Sequence, residues 1–165
     1  MTAGSSTDLI VTTPREREIH IERVFNAPRE LVFDAWTNCE HLQRWYGPRD
    51  WTLVHCEIDL RPGGRWRFVQ RGPEGMEMGQ NGEYQEVVRP ECFVTTEVFE
   101  GPEFEQMGAG TVNTLAFEEQ RGRTTLKGVI AYASQEARDA ALQTPMEEGM
   151  GESFDRLAEL VEARA

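Results

Sequence analysis

Chemistry inside a folded chain needs ionisable groups that converge, and this sequence offers one clear starting point. In ECFVTTEVF, Glu97 shares strand parity with Phe93 and Phe99, which places a carboxylate on an otherwise aromatic, inward-facing row. A carboxylate so placed needs hydrogen-bond partners or holds its proton more tightly. Tyr84 and Gln80 on the preceding strand-like segment are the partners its surroundings offer. A Glu97–Tyr84 pair could polarise a ligand carbonyl or hydroxyl. The pattern favours ligand anchoring or a structural hydrogen bond over turnover, so no catalytic residue is assigned.

Other reactive residue types point away from chemistry. His20 and His55 fall on the polar parity of their strands, and His41 lies on a solvated helix turn. None stands at metal-ligand spacing from a cysteine or carboxylate, so no metal and no cofactor are expected. His55, Glu57 and Asp59 share a strand face opposite Arg65 and Arg67, which reads as cross-strand ion pairs in water. Cys39, Cys56 and Cys92 are odd in number and widely spaced, which fits free thiols in a reducing cytoplasm.

The apolar residues that would surround such a site are concentrated. The stretch WTNCEHLQRWYGPRDW, residues 36–51, carries Trp36, Trp45, Tyr46 and Trp51. Further apolar side chains at inward parity are Trp66, Phe68, Met78, Phe99, Leu115 and Phe117, with Met146, Met150 and Phe154 on one face of the last helix. Together with Tyr84 and Glu97 these are the expected cavity-lining residues. Gly149 and Gly151 in that helix fit either close approach to a sheet or room left for a ligand.

The elements that must position them are legible from period and punctuation. EIHIERVF alternates as a strand, with Ile19, Ile21 and the Val24–Phe25 end inward. Pro28 opens a helix, Asn38 caps a second, and Tyr46-Gly47-Pro48 stops it. Six strands follow, separated by Gly- and Pro-containing turns, with Val54, Cys56, Ile58 and Leu60 inward in the first and Met78, Tyr84 and Val88 in the third. Ser134 caps a short helix. Thr144-Pro145-Met146-Glu147 reads as a capping box opening a long amphipathic one. Consecutive strands favour an antiparallel sheet, and the last helix is the element available to cover its apolar face. Residues 1–15 read as a flexible tail and 16–165 as one α+β domain.

FNAPRELVFDAWTNCEHLQRWYGPRDW, CEIDLRPGGRWRF, NGEY and EEGMGESFDRLAEL, in that order, resemble the START-like (SRPBCC) superfamily. Within it they resemble the family related to activators of the ninety-kilodalton heat-shock chaperone ATPase. The resemblance implies a helix-grip fold, in which a curved antiparallel sheet wraps a long C-terminal helix, and a cavity between them that holds an apolar ligand. In that fold the two short helices plug one end of the sheet, which explains the aromatic cluster. The chain has Cys39, Trp45-Tyr46 and Gly149-Met150 where the family usually has proline, paired tryptophans and Gly-Trp.

Composition bounds the partners. A net charge of −12 over 165 residues disfavours nucleic acid and anionic membrane surfaces. No apolar run reaches the roughly 20 residues of a membrane span. The N-terminus has no basic start followed by an apolar core. The expectation is a cytoplasmic monomer or homodimer that binds a hydrophobic small molecule, lipid-like or polyketide-like. The alternatives are a regulator contacting a heat-shock chaperone ATPase, and a polyketide-cyclase-like enzyme.

Overall fold

The computed structural model of the chain describes residues 8–101 and 110–165. Its elements are β1 (Ile10–Thr12), β2 (Glu18–Phe25), α1 (Arg29–Thr37), α2 (Cys39–Trp45), β3 (Thr52–Ile58), β4 (Arg65–Arg71), β5 (Glu77–Val88), β6 (Cys92–Glu100), β7 (Thr111–Gln120), β8 (Arg123–Tyr132), α3 (Gln135–Leu142) and α4 (Met146–Glu162). The eight strands form one antiparallel sheet in the order β1-β2-β8-β7-β6-β5-β4-β3. Strands 3 to 8 are a meander. The chain leaves β2 near one edge and reaches β3 at the other by way of α1 and α2.

That crossing puts α1 and α2 over one end of the sheet, beside α4. Val32, Phe33, Ala35, Leu42 and Trp45 of the two short helices meet Phe154, Leu157, Ala158 and Val161 of α4 in one buried core with Ile19, Phe25, Phe117 and Leu126 of the sheet. The rings interlock edge to face: Trp36 lies 4.8 Å from Trp45 and 5.8 Å from Phe154 between centroids, and Phe33 lies 5.3 Å from Phe117. Such pairs add to the area they bury. Arg156 of α4 ties the plug down. Its guanidinium donates to the carbonyls of Arg44, Gly47, Pro48 and Trp51, at 2.9–3.3 Å.

Several local expectations change. Residues 10–12, expected within a flexible tail, form β1 and pair with His20–Glu22; residues 1–7 of that tail lie outside the described residues. The register jumps from Leu53–Gln70 to His55–Val69, so Val54 bulges out at 39% exposure and Leu53 takes the inward position. A second irregularity between Tyr84 and Glu86 flips the parity of β5, turning Val88 outward. On β2 the inward row is Ile19, Ile21, Arg23 and Phe25, not Val24. Arg23 is tolerated there because Nη1 meets Asp155 Oδ1 at 2.7 Å. Thr144 does not cap α4. Its hydroxyl donates to the Ala141 carbonyl, and Pro145 stands at the cap without a side-chain bond.

Asn38 Oδ1 accepts from Glu40 N, and Ser134 Oγ from Ala137 N, as capping chemistry predicts. Arg67 takes Glu100, two strands away, rather than the facing Glu57. The cysteine reading is corrected outright. Cys39 and Cys56 form a disulfide, with Cα atoms 5.8 Å apart, and Cys92 is the free thiol. α2 folds back on β3, which brings together two thiols that linear spacing keeps apart.

Candidate functional site

The inner faces of β4 to β7, with α1 and the end of α2, line a small, partly open cavity. It is lined by Trp36, Tyr46, Trp66, Phe68, Tyr84, Phe93, Thr95, Glu97, Asn113 and Leu115. Register explains the convergence. Tyr84 pairs with Thr95, Thr95 with Asn113, and Phe93 with Leu115, so one patch of three strands presents them to the same side. Gly82 opposes Trp66 on β4. A Cβ at Gly82 would collide with the Thr96 carbonyl and the Trp66 indole nitrogen, so glycine lets the indole lie flat against the sheet.

Glu97 anchors the polar end. Its Oε2 accepts from Gln80 Nε2 at 2.6 Å and its Oε1 from Asn113 Nδ2 at 3.1 Å. Gln80 Nε2 also donates to Tyr46 Oη at 2.8 Å, while Gln80 Oε1 accepts from Gln70 Nε2 at 3.2 Å. A chain of amides therefore links the sheet, the carboxylate and the plug. Tyr84 shares the cavity, but Gln80 and Asn113 make the hydrogen bonds to Glu97. Removal from water pushes the Glu97 carboxyl up, against the pull of the bonds from Asn113 and Gln80. Burial also raises the phenols of Tyr46 and Tyr84 beyond their ordinary range. Tyr132 is pushed up to about 12 by burial and by the Glu97 charge.

Two polar atoms in this wall are buried without a protein partner: the indole Nε1 of Trp36, a donor, and Oδ1 of Asn113, an acceptor. Buried polar atoms are nearly always paired. Here the unpaired two are of opposite kind and belong to residues lining one space.

The cavity measures about 60 Å³, room for roughly four water molecules. It is smaller and more polar than an oily hollow under α4. Phe154, Trp45 and Leu157 fill that volume, with Trp45 fully buried and its Nε1 bonded to the Ala35 carbonyl. Of the expected lining residues, Trp36, Tyr46, Trp66, Phe68, Tyr84, Glu97 and Leu115 surround the cavity. Trp45, Phe117 and Phe154 are core. Trp51 lies over Gly72, Met78 is half-buried on β5, Phe99 is 39% exposed, and Met146 and Met150 pack at the edge of the core. Phe93, Thr95 and Asn113 were not expected there. Asn113 shares parity with Leu115 and Phe117, and that parity was the available signal.

A larger depression of about 430 Å³ lies outside, at the start of α4, lined by Leu9, Thr144, Pro145, Glu147, Glu148 and Gly151. Its threonine, proline and two glutamates are solvent-exposed. Gly151 opens onto it, and Gly149 meets only Pro48, so neither glycine serves close approach to the sheet. Among the described residues no group of three metal-ligating side chains converges, and no helix is long and apolar enough to cross a membrane.

A curved antiparallel sheet gripping a C-terminal helix, plugged by two short helices, defines the helix-grip class of the START-like superfamily. The model of the family described as Activator of Hsp90 ATPase homolog 1-like protein matches residues 26–162, and the chain belongs to that family. Solved structures agree. A Rhodobacter sphaeroides protein is 27% identical, with a TM-score of 0.87 over 94% of this chain and 99% of that one. A Mycobacterium smegmatis protein is 25% identical, with a TM-score of 0.80 over 92% and 97%. The AHSA1 protein from Silicibacter pomeroyi, at 21% identity and a TM-score of 0.71 over 90% and 99%, shares the fold. No curated protein matches.

Proposed function

We propose that this chain binds a small molecule in the cavity beneath Trp36 and Tyr46, with the ligand's polar end seated among Trp36 Nε1, Asn113 Oδ1 and Glu97. The observation that carries this reading is an unpaired buried donor and an unpaired buried acceptor on two residues that line the same aromatic-walled space as Glu97. Each such atom costs about 1–3 kcal/mol when it stays unpaired, and a bound molecule offsets that cost. Sites for drug-sized ligands run to about 300–1,000 Å³. A lipid-like or polyketide-like ligand would therefore place only its head here and leave its tail outside.

Native mass spectrometry of the purified protein, with thermal shifts against polar fragments, lipids and aromatic polyketides, tests this. A retained adduct, or a shift abolished by Asn113→Leu, supports the reading. No adduct and no shift with any class would remove it.

A second reading draws on the presence of Tyr84 and Glu97 in the same cavity. It is a polyketide-cyclase-like reaction with that pair as acid and base. Tyr84→Phe should then abolish turnover while unfolding stays cooperative. Regulation of a heat-shock chaperone ATPase draws on the family's description, and an ATPase assay at saturating protein tests it.

A further inference from the structure

Glu97 is a removed carboxylate without a cation. Its hydrogen-bond donors are two neutral amides, and no arginine, lysine or histidine among the described residues contributes to its electrostatics. The titratable groups near it are phenols: Tyr46 at the end of α2, Tyr84 on β5 and Tyr132 on β8. Elsewhere in the molecule carboxylates have found their partners: Asp155 holds the buried Arg23, Glu100 holds Arg67, and Glu159 holds Arg49. An isolated charge in such surroundings is costly unless it is paired.

The walls around it are of the kind that attract positive charge. Trp36, Tyr46, Trp66, Phe68, Tyr84 and Phe93 supply six aromatic rings, and aromatic faces bind ammonium groups through their quadrupole. Asn113 Oδ1, without a partner, adds a carbonyl oxygen that accepts an N–H. Trp36 Nε1 offers one donor, which suits a hydroxyl or ether oxygen on the ligand's stem.

Building on the proposal that this cavity binds a ligand, we infer that the ligand is a small organic cation: a primary or secondary ammonium of about four heavy atoms in its buried part, with one oxygen acceptor beside the charged nitrogen. The nitrogen donates to the Glu97 carboxylate and Asn113 Oδ1, its methylenes lie against the rings, and its oxygen accepts from the Trp36 indole.

Isothermal titration calorimetry of the full chain tests this with three probes of similar size: ethanolamine, and the neutral ethylene glycol and propionamide. The expected result is that ethanolamine binds at least about tenfold more tightly than either neutral probe. Glu97→Gln, which keeps the shape and removes the charge, should lose at least about tenfold for ethanolamine and much less for propionamide, so that the selectivity for the cation collapses. Neutral probes binding as tightly as ethanolamine would overturn the cation and leave the cavity reading standing. Binding of none of the three up to tens of millimolar would mean that the cavity holds water, and both readings would fall. Retained ethanolamine affinity in a folded Glu97→Gln protein would also overturn the inference. The wild-type selectivity decides the matter if that variant does not fold.

Discussion

Gln80 Nε2 lies 2.6 Å from Glu97 Oε2 and, from the same nitrogen, donates to Tyr46 Oη. One amide on β5 therefore sets the orientation of the carboxylate and holds the last residue of the plug. The acid is embedded in structure as well as placed for a ligand, so its protonation is linked to folding.

The sign follows from the raised carboxyl of Glu97. Folded protein keeps this proton to higher pH than the unfolded chain, whose glutamates titrate near about 4.3. The favourable contribution is full below that value and is lost as pH rises through the folded one. Glu97→Gln removes the linkage. Rotation of the Asn113 amide lets its unpaired oxygen accept from the new side chain. In ligand-free protein the variant should be more stable than wild type at pH 7, by on the order of 1 kcal/mol, or about 2–4 °C. The difference should narrow toward pH 4. Thermal unfolding across that range checks both the sign and the narrowing.

Arg156 should behave as a latch. Arg156→Ala leaves the carbonyls of Arg44, Gly47, Pro48 and Trp51 without their shared donor. A loss of about 1–3 kcal/mol is expected, with faster proteolysis between residues 46 and 51. Urea unfolding and limited digestion measure these separately.

Cys39 and Cys56 give a count. Alkylation of the unfolded, unreduced chain should label Cys92 alone, and reduction should raise the label to three. A bridge spanning 17 positions restricts the unfolded chain by about 3 kcal/mol, so reduced protein should unfold at correspondingly lower denaturant. Three labels without reductant would show the bridge to be absent.

Two glycines should respond oppositely to alanine. Nothing lies within 4 Å of a Cβ at Gly151, which sits within α4. Gly151→Ala should stabilise by up to about 1 kcal/mol. Gly82→Ala drives a methyl into the Thr96 carbonyl and the Trp66 indole, and should cost about 1–3 kcal/mol. Equilibrium denaturation of the pair distinguishes a free helix face from a filled sheet face.

The sequence carried the architecture because alternation and helical period report which side of an element is buried. Ile19, Trp66, Phe68, Tyr84 and Leu157 all face as their period requires. Val54 and Val88 do not, because a bulge adds a residue and period-two counting is blind to it. β1 was missed because its three residues, two exposed and one half-buried, are too few to show a period. The disulfide depends on α2 lying against β3, which no linear spacing encodes. At the site, Glu97 and its Gln80 partner were visible from parity, whereas the size of the cavity was not. Whether Trp45 and Phe154 fill a space or border it is decided by packing among elements far apart in the chain.

The pairing of β2 with β8 sets an order of events during synthesis. Glu18 meets Ala131 and Phe25 meets Thr124, so a strand made early waits for the last one. Until then β2 can pair only with β1, and the edge that carries Ile19, Ile21 and Phe25 into the sheet lacks its β8 partner. A ribosome that stalls before residue 132 would therefore release a product with an open seam, prone to pair with another such chain.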